Sequence, residues 1–211
     1  MFGVAVSSSS PAVAARCAHA RAGVGAVATQ NITDPTLAHA ALDLMALGAG
    51  ASRAIEILTA SRPHIEYRQL AAVDASGETA AFSGAHTLGT HAVAKGEGAV
   101  AAGNLLSDRR VPDLMVAAFA ATKSHLGDRL IAAMLAGRDA GGEVGPVHSA
   151  GMLIVREVEW PVADLRVDWH ETDPIGALDD LWHIYQPQLD DYVKRARDPS
   201  SAPKYGVPGD E

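Results

Sequence analysis

Residues 3–30 read GVAVSSSSPAVAARCAHARAGVGAVATQ, and they indicate how the chain begins to fold. Residues 2–6 alternate large and small side chains, which predicts a strand that begins almost without a lead-in. The four serines at positions 7–10 and the following Pro11 predict a loop. Residues 22–29 are small and apolar, which predicts a second strand whose glycines allow another backbone to approach closely. The chain therefore opens with two strands, each buried on at least one face.

A β-hairpin is the clearest element in the rest of the sequence. Residues 68–73 and 78–83 form two half-buried runs, and Asp-Ala-Ser-Gly at positions 74–77 supplies the turn between them. Further strands are predicted at residues 98–102, 149–158 and 164–168.

A capping residue followed by proline marks two helix starts, at positions 33–35 and 173–174. Proline suits the first helical position because its missing N–H would be unpaired there anyway. The first of these helices ends near Gly48, and the last is broken or restarted at Pro187. Other helices are predicted at residues 52–60, 112–122 and 126–137. Groups of strands that alternate with helix pairs indicate packed antiparallel sheets covered by helices, rather than a parallel doubly wound sheet.

The composition is that of one globular domain whose elements can approach closely. Ala and Gly supply 61 of the 211 residues, and only 10 residues are aromatic. Hydrophobic residues make up 48% and charged residues 20%, which excludes disorder over most of the length. We predict a single domain over residues 1–197 and a Pro- and Gly-rich tail over residues 198–211.

Charge and hydropathy exclude several classes of protein. The net charge of −8 argues against nucleic-acid binding, because phosphate contacts need clustered basic side chains. No apolar run approaches the roughly 20 residues of a membrane span, so we expect no membrane association. Cys17 is the single cysteine, which rules out an internal disulfide and fits a cytoplasmic location.

Polar residues that follow two small-residue strands are the first candidates for a binding site. Thr29 and Gln30 end one strand, although turn chemistry explains them equally well. Gly103 and Asn104 end another strand, and a glycine-turn N–H with an Asn amide is what an oxyanion site requires. The sequence contains no P-loop, no G-x-S-x-G elbow and no complete dinucleotide fingerprint. The histidine spacings lack a third ligand nearby, so we expect no metal and no cofactor.

Five ordered motifs resemble the family called domain of unknown function 1028, which is assigned to the Ntn-hydrolase-like proteins. The motifs are residues 3–30, YRQLAAVDASGETAAFSG at 67–84, AVAAGNLLS ending at 107, HSAGMLIV at 148–155 and DLRVDWHETDPIGALDDL at 164–181. The resemblance implies an α+β fold of the Ntn-hydrolase-like type. This is a four-layer αββα sandwich of two antiparallel sheets between helix layers.

The resemblance also implies a mechanism, from which the chain departs at its start. In related Ntn hydrolases an N-terminal Thr, Ser or Cys is the nucleophile and its own amine is the base. Members of the resembled family begin upstream of the segment that starts here at Phe2, and Met1 is expected to be retained beside that bulky residue. Two alternatives stay open. Either the native chain starts upstream of Met1 with a nucleophile, or the protein does not use this mechanism.

The resemblance implies site residues by their position in the architecture. The catalytic candidates are Ser7, Ser8 and Asn104. The substrate-binding candidates are Thr29, Gln30, Gly103, Ser149, Asp168 and His170.

The implied function is hydrolysis of an amide-like or imine C–N bond in a small nitrogenous metabolite. The alternative is a non-catalytic ligand-binding or oligomeric scaffold protein that keeps the fold without the nucleophile. We expect a small-molecule ligand and a homodimer or larger homo-oligomer, with Trp160, Trp169 and Trp182 as anchors unless they fill the core.

Overall fold

The computed structural model describes residues 1–208; residues 209–211, the end of the predicted tail, lie outside it. Within residues 1–208 the chain forms nine strands and seven α-helices. The strands are β1 (Phe2–Ser8), β2 (Ala18–Arg21), β3 (Gly25–Asn31), β4 (Arg68–Asp74), β5 (Thr79–Ser83), β6 (Ala92–Gly96), β7 (Ala99–Gly103), β8 (Ser149–Val155) and β9 (Ala163–Val167). The helices are α1 (Ala14–Cys17), α2 (Pro35–Ala46), α3 (Ala51–Ser61), α4 (Val111–Ala121), α5 (Leu126–Asp139), α6 (Pro174–Tyr185) and α7 (Leu189–Arg197).

The strands form three antiparallel sheets within the described residues. The first has the order β1-β8-β9, the second β2-β3-β4-β5, and the third is the hairpin β6-β7. Strand β1 of the first sheet contacts β2 and β3 of the second. Helices α2 and α3 contact the second sheet, whereas α5 and α6 contact the first and α4 contacts the hairpin. The fold is therefore α+β, with several antiparallel sheets and helices, and is consistent with an α+β sandwich.

Both predicted capped helix starts are confirmed. Asp34 directly precedes α2, and its carboxylate accepts the N–H of Thr36 at 3.0 Å. The carboxylate of Asp173 accepts the N–H of Gly176 at 2.9 Å at the start of α6. The hairpin β4-β5 is confirmed as well.

Several predicted boundaries differ from the structure. Ser7 and Ser8 belong to β1 rather than to a loop, because they continue its ladder opposite Ala150 and Ser149. The region between β1 and β3 holds α1 and β2, which are too short to show a periodic pattern in the sequence. Strand β6, the partner of β7, was also not predicted. After α6 a 3₁₀ turn at Gln186–Gln188 leads into the separate helix α7.

Small side chains fill the space between the first two sheets. The buried cluster there, which we call the inter-sheet cluster, consists of Val4, Val6, Val13, Ala14, Cys17, Ala18 and Ala26. Its largest members are valines, so the two sheets approach closely. Two larger clusters lie on the outer sides, where α2 and α3 pack on the second sheet and α5 to α7 pack on the first.

No helix within residues 1–208 combines the length and the apolar character that crossing a bilayer requires.

Candidate functional site

A cavity of about 1000 Å³ lies between β1, β7, the second sheet and the helix pair α4-α5. One part, the apolar slot, is lined by residues 2–6 of β1, residues 99–102 of β7 and apolar side chains of α4 and α5. At the C-terminal ends of β1 and β7 the lining becomes polar. We call this part the polar end, and its residues are Ser7, Ser8, Ser9, Gln30, Gly103, Asn104 and Glu143.

A serine and a carboxylate are hydrogen-bonded at the polar end. The hydroxyl of Ser9 donates to Oε1 of Glu143 at 2.5 Å, and the N–H of Ser9 donates to Oε2 at 3.1 Å. Two bonds to one residue fix the orientation of the carboxylate, and the short O–H···O distance is typical of a bond to a charged acceptor. Ser9 therefore has a proton acceptor already in contact with its hydroxyl.

Glu143 also connects the ends of the two strands that border the cavity. Its backbone forms an isolated antiparallel bridge with Leu106, three residues after the end of β7, while its side chain binds Ser9, one residue after the end of β1. Leu105, next to this bridge, has a φ of 52°, which lies in the left-handed backbone region that residues other than glycine rarely adopt. The chain is held in a sharp bend where it leaves β7 and passes Asn104.

Three side-chain amides form a network beside this bend. Nε2 of Gln30 donates to Oε1 of Gln69 at 2.8 Å, and Nδ2 of Asn104 donates to the same oxygen at 3.2 Å. Nε2 of Gln30 also donates to the carbonyl of Ala102 at 3.0 Å, and Nε2 of Gln69 donates to the carbonyl of Gly103 at 3.1 Å. Gln69 is fully buried, so its hydrogen bonds fix the position of the β7 terminus against β3 and β4.

Two serines of β1 complete the polar end. Oγ of Ser8 accepts the N–H of Ser10 at 3.0 Å. Ser7 lines the cavity, and its hydroxyl has no hydrogen-bond partner among residues 1–208. Neither hydroxyl contacts a proton acceptor of the kind that Glu143 offers to Ser9.

The first 178 residues match the model of a family of unknown function, DUF1028. The chain belongs to the DUF1028 family. A crystal structure of a Silicibacter pomeroyi protein of the same family is similar to this chain, with a TM-score of 0.82 and 30% identity. The similarity covers 92% of this chain and 87% of that chain. No curated protein matches. The resemblance predicted from the five motifs is thus confirmed, and all residues of the polar end lie within the DUF1028 match.

Five of the predicted site residues line the cavity of this DUF1028 domain: Ser7, Ser8, Gln30, Gly103 and Asn104.

Four predicted site residues lie outside the cavity lining. Thr29 is buried and donates to the carbonyl of Asp34 at 3.2 Å. Ser149 is buried and holds the segment that follows β1, because its hydroxyl donates to the carbonyl of Ser10 at 2.6 Å. Asp168 is exposed, and its backbone carbonyl accepts the N–H of Ala12.

His170 caps the turn before α6 by accepting two backbone N–H groups. The role of these four residues in substrate binding stays a prediction, and none of them carries the proposals below.

Two residues of the polar end, Ser9 and Glu143, were not predicted, nor was Gln69 of the amide network beside it. Ser9 and Glu143 are 134 positions apart, and Glu143 follows two glycines that read only as a flexible segment. The sequence predicts Gln69 as an ordinary residue of a hairpin strand. The one available signal is an amide side chain directly before the apolar run of Leu, Ala and Val in that strand, because a buried amide needs partners.

The thiol of Cys17 also lies at the cavity. Burial raises the pKa of the Cys17 thiol, which keeps it protonated and weakly nucleophilic at neutral pH. Among residues 1–208, no group of three or more His, Cys, Asp or Glu side chains is arranged to hold a metal ion.

Proposed function

We propose that this DUF1028 protein hydrolyses an amide-like or imine C–N bond of a small nitrogenous metabolite at the polar end of the cavity. The observation that carries the proposal is the Ser9–Glu143 hydrogen bond of 2.5 Å in the wall of a cavity of about 1000 Å³. A serine hydroxyl bound to an oriented base is the arrangement that activates a weak nucleophile. A cavity of this size accommodates a small molecule.

The chemistry follows from the positions of the groups. Glu143 accepts the hydroxyl proton as Oγ of Ser9 bonds to the carbonyl carbon of an amide. The same proton then moves to the leaving nitrogen as the C–N bond breaks, and a water molecule later releases the acyl group from Ser9. Asn104 has a second amide N–H besides the one bound to Gln69, and it can donate to the oxyanion that forms. The free hydroxyl of Ser7 binds the substrate.

The proposed architecture is the four-layer αββα sandwich of Ntn-hydrolase-like proteins. It is supported by the contacts of β1 with β2 and β3 and by helices on the outer sides of both sheets. In such a sandwich the polar end lies at one edge of the two facing sheets, where strand termini from both sheets meet.

The Glu143→Gln variant tests the catalytic proposal. The probes are primary amides, N-acetylated amino acids, ureides and cyclic imines, with released ammonia or amine as the readout. Gln keeps the shape of Glu but cannot take up the serine proton, so we expect turnover to fall by about 100-fold or more. The control is Glu159→Gln, an exposed position away from the cavity, which should leave the rate unchanged. Full activity of the Glu143→Gln variant would contradict the role of Glu143 as the base.

A second candidate function is non-catalytic ligand binding, and the amide network favours it. The side-chain amides of Gln30 and Gln69 donate to backbone carbonyls of β7. These hydrogen bonds stabilise the shape of the site, and the same donors are not free to act on a substrate. Calorimetry with the same probes separates the two functions. Binding without release of ammonia or amine, and with equal affinity in the Glu143→Gln variant, would support a binding protein.

We also propose that the protein is a homodimer or larger. Trp182 is fully buried in the core and is not available as an anchor, but Trp160 and Trp169 are 43% and 50% exposed. Large exposed aromatic side chains are typical anchors of protein interfaces. Sedimentation equilibrium should give a mass above the 21.8 kDa of one chain, and the Trp160→Ala variant should lower it.

A further inference from the structure

We infer that the outer edge of β9 joins two copies of this chain, strand against strand, in a two-fold symmetric dimer. This edge would be the contact surface of the homo-oligomer proposed above, on which it rests. Four features of the chain point to it: the outward backbone groups of β9, the order of its charges, the tryptophans at its two ends and an apolar stripe on α6.

Strand β9 lies at the outer end of the first sheet. Among residues 1–208 it pairs with β8 alone. A Cβ on Gly151 of β8 would lie 3.1 Å from the carbonyl oxygen of Leu165, so the backbone groups of Leu165 face β8. Because these groups alternate between the two edges of a paired strand, those of Asp164 and Arg166 face outward. They have no hydrogen-bond partner within the described part of the chain.

The side chains of this edge complement a second copy of themselves. Asp164 and Arg166 are exposed on one face of β9, and Nε of Arg166 donates to Oδ1 of Asp164 at 2.7 Å. A two-fold axis at Leu165 places Asp164 opposite Arg166 of the partner subunit, and the reverse. Moving the axis to Asp164 or to Arg166 would set two like charges directly opposite each other, which is unfavourable. Charge therefore selects the register centred on Leu165.

The same register pairs the outward backbone groups. Asp164 of one copy and Arg166 of the partner subunit both turn their N–H and C=O groups toward the contact, so each such pair exchanges two hydrogen bonds. The two copies of the first sheet then form one continuous sheet in the order β1-β8-β9-β9-β8-β1. Charges of a single sign would keep two such edges apart, whereas this alternation of signs attracts them.

Tryptophans lie at both ends of β9. Trp160 precedes the strand by three residues, Trp169 follows it by two, and both are substantially exposed. Antiparallel pairing about Leu165 brings Trp160 of one copy and Trp169 of the partner subunit to the same end of the strand pair. The ring of Trp169 is already ordered, because it stacks on His148 at 4.2 Å and donates to Glu171 at 2.8 Å. An ordered aromatic ring loses little conformational entropy when a partner covers it.

An apolar stripe of α6 lies beside the same edge. Helix α5 contacts β1 and β8, whereas α6 contacts β8 and β9, so the flank of α6 away from α5 lies toward the outer edge of β9. His183 of α6 interacts with Asp128 of α5, and Leu181 lies two positions earlier, about 200° around the helix. The stripe continues from Leu181 to Ile184, which is 66% exposed. In the dimer this stripe packs against its copy.

These features act together. Pairing of two short strands does not by itself hold a stable dimer, because stable interfaces bury about 800 Å² on each partner. The hydrogen bonds and charges set the register, and the tryptophans and the α6 stripe supply apolar area on either side of it. A second copy is the partner that fits, because the charge order of this edge is complementary to itself.

Charge reversal tests the pairing, with sedimentation equilibrium of the full chain as the measurement. Asp164→Arg leaves two arginines on the edge and Arg166→Asp leaves two aspartates, so each variant sets like charges opposite each other. We expect each dissociation constant to rise by about 100-fold or more. An equimolar mixture of the two variants restores opposite charges and should form a heterodimer. The double variant Asp164→Arg/Arg166→Asp should dimerise like the wild type.

Glu97→Arg, at an exposed position in the β6-β7 turn, is the control for the same change of charge and should dimerise like the wild type. Dimers that persist in both single variants would overturn the β9 interface and place the contact elsewhere. Single variants that stay monomeric when mixed would overturn it as well. A wild-type protein that is monomeric would overturn both this interface and the homo-oligomer proposed above.

Hydrogen exchange on the wild-type protein decides the question even if a variant fails to fold. Above the dissociation constant of the dimer, the amides of Asp164 and Arg166 should exchange at least about tenfold more slowly than in dilute, monomeric protein. Exchange of these amides that does not change as dimers form would contradict pairing through β9.

Discussion

At the scale of single residues, the carboxylate of Asp74 connects two segments of the chain. It accepts the N–H of Ala51 at 2.8 Å, the N–H and the hydroxyl of Ser76, and the N–H of Glu78 at 3.1 Å. Gly50, the residue before α3, has no side chain that could cap this helix, so Asp74 supplies the cap from the β4-β5 turn. One side chain thereby fixes a helix to the sheet that it covers.

The Asp74→Asn variant should lower the free energy of unfolding by about 1–3 kcal/mol. Its NH2 group replaces one carboxylate oxygen and cannot accept the hydrogen bond that this oxygen accepts in the wild type. Urea denaturation measures this. The control is Asp180→Asn on the exposed side of α6, which should change stability by less than about 0.5 kcal/mol. Equal stability of wild type and Asp74→Asn would show that the cap is dispensable.

The same carboxylate predicts a pH dependence. Burial raises the pKa of Asp74, but hydrogen bonds from Ser76, Ala51 and Glu78 outweigh it and lower the pKa below the ordinary 3.8. A lowered folded-state pKa stabilises the fold above the unfolded value, and this contribution is lost as the pH falls from about 5 through the folded value. Denaturation at a series of pH values should show a smaller acid loss in Asp74→Asn. An identical loss in both proteins would assign it to other carboxylates.

Ser149 should act on stability. Its hydroxyl donates to the carbonyl of Ser10 and accepts the N–H of Val13 at 3.2 Å, and the residue is fully buried. Ser149→Ala leaves both groups unpaired and should lower the free energy of unfolding by about 1–3 kcal/mol. Ser52→Ala on the exposed side of α3 is the control. If Ser149→Ala instead kept its stability but lost affinity for a ligand, the predicted role in substrate binding would be favoured.

The structure brings three predicted catalytic candidates to one cavity. Ser7, Ser8 and Asn104 were predicted from the architecture that the family resemblance implies, and all three line the cavity. Their catalytic role stays a prediction. The partnership of Ser9 with Glu143 was not predictable, because it depends on the packing of a loop against a distant strand end.

At the scale of secondary-structure elements, caps and turns carried most of the predictive information. The starts of α2 and α6 followed from Asp-Pro pairs, and the β4-β5 hairpin followed from its turn residues. The elements α1, β2 and β6 have four or five residues each, too few for a period to emerge, and their pairing depends on neighbours distant in sequence.

The contact between α5 and α6 predicts an intolerant glycine. A Cβ on Gly127 would overlap the indole ring of Trp182, which is fully buried and donates to Asp128 at 2.7 Å. Gly127→Ala should therefore lower the melting temperature and cost about 1–3 kcal/mol, although alanine favours helices.

A double-mutant cycle checks this cause. In a Trp182→Leu background the added methyl group has space, so Gly127→Ala should cost clearly less than in the wild type. An unchanged cost in that background would place the strain elsewhere.

At the scale of the whole molecule, the abundance of Ala and Gly has a clear structural counterpart. The inter-sheet cluster contains no side chain larger than valine, which allows β1 to contact both β2 and β3. Composition predicted close approach but not where the sheets separate again. The opening between β1 and β7 depends on which strands pair, and pairing is a long-range property of the chain.

The unequal pairing predicts unequal local stability. Strands β3 and β4 are paired on both sides, whereas β1 and β7 are each paired on one side and border the cavity. In the free protein, amides of β1 and β7 should exchange with solvent at least about tenfold faster than those of β3 and β4, as measured by hydrogen exchange with mass spectrometry. Uniform protection across all four strands would mean that the cavity is closed to water.

The labelling rate of the single cysteine reports on these local motions. Cys17 lies in the inter-sheet cluster with only 3% of its surface exposed, and its thiol is the one sulfhydryl in the sequence. Cys17 also lines the cavity, so a thiol reagent can modify it only in molecules in which a local opening exposes this side chain, from the cavity or from the inter-sheet cluster. The labelling rate of the unmodified protein therefore measures how often this opening occurs, without any dye or introduced residue.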